Sequence, residues 1–544
     1  MALPPWATFV SVVLATVLFL VTLRRRSHGA RNTNIPPGPR PWPIIGNLNL
    51  IGPLPHHSFR KLSARYGPLM SLRLGSVRVV VGSSVHAAKF FLKTHDLVFL
   101  DRPRTASGRY TLYNYSDMVW APYGPYWRQA RKLWQVELFS MSRLKSMQPI
   151  RNEEMRNFLR DLSAAATAGR VVKFRESMLM LSLNIISRMV LGKKYVVEGA
   201  AGSPTTPEEF TWMIEELVYL NGAPNIGDLI PWLNWLDAQG YIKRMKRLHA
   251  KFDKFLDHVL QEHEERQRRE GEAFVATDMV DLLLQLADDP SLEVPITRNG
   301  VKAFTLDLIA GTDSTAVTIE WAMSEVLRNP DTLAKVTEEL DRIVGCERLV
   351  VDEDIPNLPY LEAVVKEAMR LHPVGPLLTP RLSREDTTLD GYVIPAGTRV
   401  FVNVWAIGRD TSVWGDTAEE FRPERFLGSG LDVKGHDFEL LPFGSGRRMC
   451  PGISLGLKMV QVTLANLLHG FVWRLPNGMK AEEISMEDTY GLSMPRKIPL
   501  EVYPQAKLLP HLLNNEPGFA QITGRSMSQH GVAHAENQEI NVRT

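Results

Sequence analysis

Cys450 stands in the string Phe443-Gly444-Ser445-Gly446-Arg447-Arg448-Met449-Cys450-Pro451-Gly452, just ahead of an apolar run. The chain has two cysteines, Cys346 and Cys450, too few for a disulfide framework or a thiolate zinc cage. Nearby positive charge and a helix N-terminus both favour a thiolate. Pro451 suits the first helical position after the sulfur. The glycines allow a loop to approach a flat ring closely, and arginine is the natural partner of an anionic carboxylate. A structural cysteine in a tight turn would explain the sulfur but not its surroundings. The pattern predicts a sulfur ligand to haem iron, with Phe443, Arg448 and Gly452 around the cofactor.

The string resembles the haem-binding loop of cytochrome P-450 monooxygenases, and further motifs extend the resemblance over about residues 35–505. In 307–321 an apolar helical pattern is interrupted by Gly311, Asp313, Ser314 and Thr315, all poor choices for a helix interior. The apolar pattern continues on both sides, which argues against a helix start there. The expectation is one helix passing over the haem. Gly311 leaves room for dioxygen, and Asp313 with Ser314 delivers protons, with Thr315 as a second hydroxyl. The family's order is acid then threonine. Here Ser314 takes the threonine position and lacks the methyl that restricts rotamers.

Glu367-Ala-Met-Arg370 resembles the family's Glu-x-x-Arg pair, whose spacing puts both side chains on one helix face. Phe421-Arg-Pro-Glu-Arg425-Phe426 matches its Pro-Glu-Arg-Phe element. The resemblance makes Arg425 a bridge between Glu367 and Arg370 in a buried triad that locks the Cys450 segment. Trp127 and Arg131 resemble the Trp-x-x-x-Arg helix, and with Arg381 and Arg448 they are expected to clamp the haem propionates. Substrate contacts by resemblance are Phe304, Leu308, Val374, Leu377, Leu378, Leu492 and Met494. An apolar pocket implies an apolar substrate held by shape.

These residues need a helix-rich body to position them. The composition is ordinary for a globular chain, with 44% hydrophobic and 23% charged residues over 544 positions. A net charge of +3 lends no support to nucleic-acid binding. The fold class expected is mainly α with small β-sheets, a cytochrome P-450 fold preceded by one N-terminal transmembrane helix. Residues 6–23 carry no charge and precede Arg24-Arg25-Arg26, which reads as a retained anchor with the body on the cytosolic side. The expected divisions are an anchor and basic stop at 1–26, a stiff proline-rich hinge at 27–43, the catalytic domain at 44–505 and a polar tail at 506–544. A β-hairpin is expected around Gly75-Ser76, short strands near 392–395 and 399–402, and mostly helix between 125 and 345.

The resemblance to microsomal plant members implies haem b, the endoplasmic reticulum membrane, and electrons from NADPH through NADPH–cytochrome P-450 reductase. Lys434, Arg447 and Lys458 are the expected docking residues. The 432–437 and 381–386 neighbourhoods resemble homoterpene-forming members, which oxidatively cleave geranyllinalool or nerolidol. Flavonoid 3'-hydroxylases share many of the same features. A haem-thiolate isomerase or a haem sensor would need neither the acid–hydroxyl pair nor an electron donor.

Overall fold

The computed structural model describes residues 5–27, 34–195, 204–508 and 512. A buried helix, Thr312–Arg328, packs on Phe174–Leu191, Ile453–Gly470 and Pro359–Leu371. Ala316, Val317, Ile319, Ala322, Met323 and Val326 are all buried, and so are Glu320, Ser324 and Glu325, so the helix is enclosed on all sides. This core fixes the positions of the segment ahead of Ile453 and the Glu367 face of Pro359–Leu371.

Beside the helical body lie small sheets. Strands β1 (Leu69–Leu74) and β2 (Val77–Gly82) form the expected antiparallel hairpin, with Leu69 opposite Gly82 and Leu74 opposite Val77. With β4 (Arg381–Leu382) and β7 (Arg399–Val402) they make a sheet of order β1-β2-β7-β4. β3 (Val172–Lys173), β9 (Glu501–Ala506) and β8 (Phe471–Arg474) form a second sheet, and β5 (Thr387–Leu389) with β6 (Tyr392–Ile394) a hairpin.

Residues 36–38 are more than a spacer. Ser71 N donates to Pro37 O at 2.8 Å and Ser71 Oγ to Pro36 O at 2.6 Å. A Cβ at Gly38 would lie 1.9 Å from Ser71 O, so only glycine lets the two backbones meet. At the other end the folded body runs past 505: Lys507 pairs with Asp341 at 2.6 Å. The expected tail otherwise lies outside the described residues beyond Leu508, Leu512 excepted.

The expected anchor falls in helix Pro5–Ser27. Side chains at 5, 8 and 20–27 lie outside the described residues. Among the described residues no helix is long and apolar enough to cross a membrane.

Candidate active site

The Cys450 loop is held against protein backbone on its outer side. Gly446 has φ +71°, and a Cβ there would lie 2.0 Å from Leu92 O. Cys450 N donates to Phe443 O at 3.0 Å, closing the loop. Helix Ile453–Gly470 starts behind it with Gly452 at the cap, so Pro451 lies in the preceding turn and not at the first helical position. Gly452 contributes its N–H to the sulfur. Burial raises the Cys450 thiol above its ordinary range; the Gly452 N–H and Arg131 oppose that rise. Of the two neighbouring arginines, neither supplies this charge. Arg447 pairs with Asp96 at 2.6 Å, and Arg448 turns to the carbonyls of Leu100 and Ala121.

Four arginines converge beside this loop. Arg131 Nη1 donates to Met449 O at 2.8 Å, and Arg381 Nη2 to Ser445 O at 3.1 Å. Arg102 donates from Nε to Val119 O at 3.0 Å and from Nη1 to Thr379 O at 2.7 Å. Arg448 Nη2 donates to Ala121 O at 2.7 Å, and its guanidinium lies 4.2 Å from the Trp127 ring. None of the four forms an ion pair with a described carboxylate, and Arg381 Nη1 is buried without a partner. Burial lowers Arg448 to about 9 and Arg381 to about 10, and lowers Arg102 strongly. Buried cations without a carboxylate in contact are costly, so this cluster fits an anionic ligand. The propionates of a haem would fit that need, with the Cys450 sulfur beside them as a candidate ligand. Trp127 stands beside this cluster with its Nε1 donating to Met118 O at 3.1 Å.

Next to Ser314 the helix breaks. Arg298–Ala310 and Thr312–Arg328 meet at Gly311, where one continuous helix was expected. Thr312 Oγ1 donates to Ile309 O and Ser314 Oγ to Gly311 O, each at 2.9 Å, so hydroxyls take carbonyls at the interruption. A Cβ at Gly311 would come no closer than 3.4 Å to Leu308 O; the residue keeps space open without being forced by packing. Asp313 accepts a hydrogen bond from Ser493 Oγ. Burial raises its carboxyl above the usual range, against that bond and Arg175.

Cys450 and Ser314 open onto one cavity of about 330 Å³. Trp127, Arg131, Arg381, Arg448, Phe443, Thr315, Val374, Leu378 and Leu492 also line it, whereas Asp313 and Gly452 do not. Four expected substrate contacts lie elsewhere. Phe304 is fully buried between Tyr126 and Trp134, and Leu308 belongs to the same core. Leu377 packs with Phe59 and Met70, and Met494 is buried with its carbonyl accepting from Trp321 Nε1 at 2.8 Å. Apolar residue type cannot distinguish a cavity wall from core packing. Met118, Val119, Met369 and Thr318 line the cavity instead. Thr318 had a readable signal, standing one turn beyond Ser314, whose carbonyl it caps at 2.8 Å. Arg102 had none beyond a charge beside a proline.

The buried triad is present with a different centre. Glu367 is the bridge: Arg370 Nε donates to Oε2 at 2.6 Å and Arg425 Nε to Oε1 at 2.9 Å. The expected docking residues are at the surface and already paired, Lys434 with Asp432, Arg447 with Asp96 and Lys458 with Asp352.

A family model described as Cytochrome P450 matches residues 36–500. Trimethyltridecatetraene synthase from Zea mays is 48% identical over 543 residues, covering 96% of this chain and 97% of that protein. Dimethylnonatriene synthase from Zea mays is 48% identical over 521 residues, covering 92% and 98%. Flavonoid 3'-monooxygenase from Petunia hybrida is 43% identical over 510 residues, covering 92% and 98%. Among solved structures, a zebrafish cytochrome P450 with abiraterone superposes with a TM-score of 0.70 at 25% identity, covering 84% of this chain and all of that one.

Proposed function

The chain belongs to the cytochrome P450 family, an oxygen-incorporating haem enzyme fed by NADPH through a reductase, and from that premise we propose that it cleaves an apolar terpenoid alcohol, geranyllinalool or nerolidol, to a homoterpene. The observation that carries this reading is the shared cavity. A sulfur and a hydroxyl at a helix break line one space, together with Met369, Val374, Leu378, Val460 and Leu492. No acidic side chain lines it among the described residues. Such a wall selects by shape and apolar contact. Two relatives are named for making trimethyltridecatetraene and dimethylnonatriene, which supports an acyclic terpenoid over a flavonoid.

Haem, when bound, supplies oxygen activation, and the protein positions and tunes it. Cys450 gives the iron its sulfur ligand, and the Gly452 N–H and Arg131 stabilise the negative sulfur. Arg102, Arg131, Arg381 and Arg448 hold the propionates. Ser314 Oγ presents a proton at the Gly311 opening and takes its replacement from Asp313, a carboxyl that burial keeps prone to protonation. Ser493 orients that carboxyl.

In the same reading, helix Pro5–Ser27 anchors the enzyme in the endoplasmic reticulum membrane. Its described apolar side chains support this: Phe9, Val10, Val12, Leu14 and Val17 are exposed. Reductase docks at Lys434, Arg447 and Lys458. The test is to incubate microsomes containing this chain, reductase and NADPH with geranyllinalool, nerolidol and naringenin. A homoterpene product supports the reading. Conversion of naringenin alone replaces it with flavonoid hydroxylation.

A further inference from the structure

Two carboxylates absent from the mechanism above meet on one turn of the cavity wall. Asp307, on the helix ahead of the Gly311 break, accepts from Met118 N at 2.7 Å. Asp117 accepts from Val119 N at 3.0 Å and Trp120 N at 2.7 Å, and its Oδ1 is buried without a partner. The carbonyls of the same turn are committed to the site. Met118 O accepts from Trp127 Nε1 at 3.1 Å, Val119 O from Arg102 Nε at 3.0 Å, and Ala121 O from Arg448 Nη2 at 2.7 Å. Met118 and Val119 themselves line the cavity. Thus one side chain of the helix over the cavity ties down the turn that both shapes the substrate wall and orients two cofactor arginines.

We propose that Asp307 is a positioning residue that sets ligand fit in the cavity, acting through the Met118 N–H on the 117–121 turn with Asp117 as its partner. This rests on the reading of the cavity as a haem and substrate site. The groups facing the pair are Arg448 and Arg102 toward Asp117, and the Tyr126 phenol toward both carboxyls. Burial raises Asp117 to about 7 against its backbone N–H bonds and Arg448, and burial together with the neighbouring Asp117 raises Asp307 well above the carboxylate range. One carboxyl therefore stays protonated near neutrality, and ionising the second sets two like charges against each other beneath the turn.

The test uses the full-length haem-loaded enzyme and two iron-coordinating probes followed by their Soret shift. Imidazole reports on the iron alone, and 4-phenylimidazole also touches the wall. Asp307→Leu, which removes the acceptor, weakens 4-phenylimidazole about tenfold relative to imidazole, the scale of one buried hydrogen bond. Where that variant fails to fold, Asp307→Asn, which keeps an acceptor, decides. In the unsubstituted enzyme the preference for 4-phenylimidazole over imidazole falls as pH rises from about 6 to about 9, and in Asp307→Asn it stays flat. An unchanged preference in folded Asp307→Leu, or the same pH slope in Asp307→Asn, overturns the proposal. No imidazole shift in the unsubstituted enzyme overturns the haem reading and this inference together.

Discussion

Glu367 and Arg370 share two hydrogen bonds one helical turn apart, at 2.6 and 2.7 Å, with both side chains wholly removed from solvent. Arg425 adds a third bond to Glu367, and Arg370 spends its remaining N–H groups on the carbonyls of Gly408, Ala418 and Glu420. Among the described residues the acid is thus the one carboxylate paired with both arginines. Glu367→Ala strands both and costs about 3–5 kcal/mol of stability. Chemical unfolding of the purified enzyme measures this. A loss below about 1 kcal/mol would place the triad among surface pairs.

Arg381 has a buried N–H group with nothing to donate to. The haem reading gives it a propionate. Arg381→Ala then speeds haem transfer to excess apomyoglobin about tenfold, the scale of one charge-assisted bond. Arg298, an exposed residue paired with Asp257 and far from the cavity, is the control, and Arg298→Ala leaves the rate unchanged. Equal rates in the two variants would remove Arg381 from the cofactor site.

The acid–hydroxyl pair predicts coupling. In Ser314→Ala and in Asp313→Asn, product formed per NADPH falls about tenfold and hydrogen peroxide rises. Thr315→Ala, which keeps both members of the pair, loses less. Ser314→Thr restores the methyl that limits rotamers and raises coupling above the unsubstituted enzyme. Peroxide and NADPH assays on one preparation decide. Intact coupling in Ser314→Ala would leave Thr315 as the working hydroxyl.

Asp117 makes stability depend on pH. Burial raises its carboxyl to about 7 in the folded enzyme, and the unfolded chain titrates near about 3.9. Because the folded value is the higher one, this contribution to stability is full below about 4 and is lost as pH rises to about 7. Asp117→Asn removes that slope. Its thermal midpoint therefore gains on the unsubstituted enzyme between about pH 4 and about pH 8, and parallel curves would contradict the assignment.

The parts of the site legible in the sequence are those whose chemistry is local. Cys450 stands among its own glycines, and Glu367 and Arg370 meet by helical spacing alone. The β1–β2 hairpin was readable because Gly75-Ser76 interrupts two alternating runs. What escaped depends on distant partners. Ser493 reaches Asp313 across 180 residues, Arg131 reaches Met449 across 318, and Asp307 reaches Met118 across 189. The break at Gly311 escaped because the apolar pattern continues through it; only the carbonyls captured by Thr312 and Ser314 reveal it. The cavity wall was the least legible part, since Phe304 and Val374 are both apolar, yet only Val374 faces the space.

The most direct test is Cys450→Ser, with the protein reduced under carbon monoxide and its absorption recorded. The unsubstituted enzyme gives the red-shifted Soret band of a sulfur-ligated carbonyl complex, and Cys450→Ser loses it. Persistence of that band in folded, haem-loaded Cys450→Ser would show that another residue holds the iron and would contradict the account.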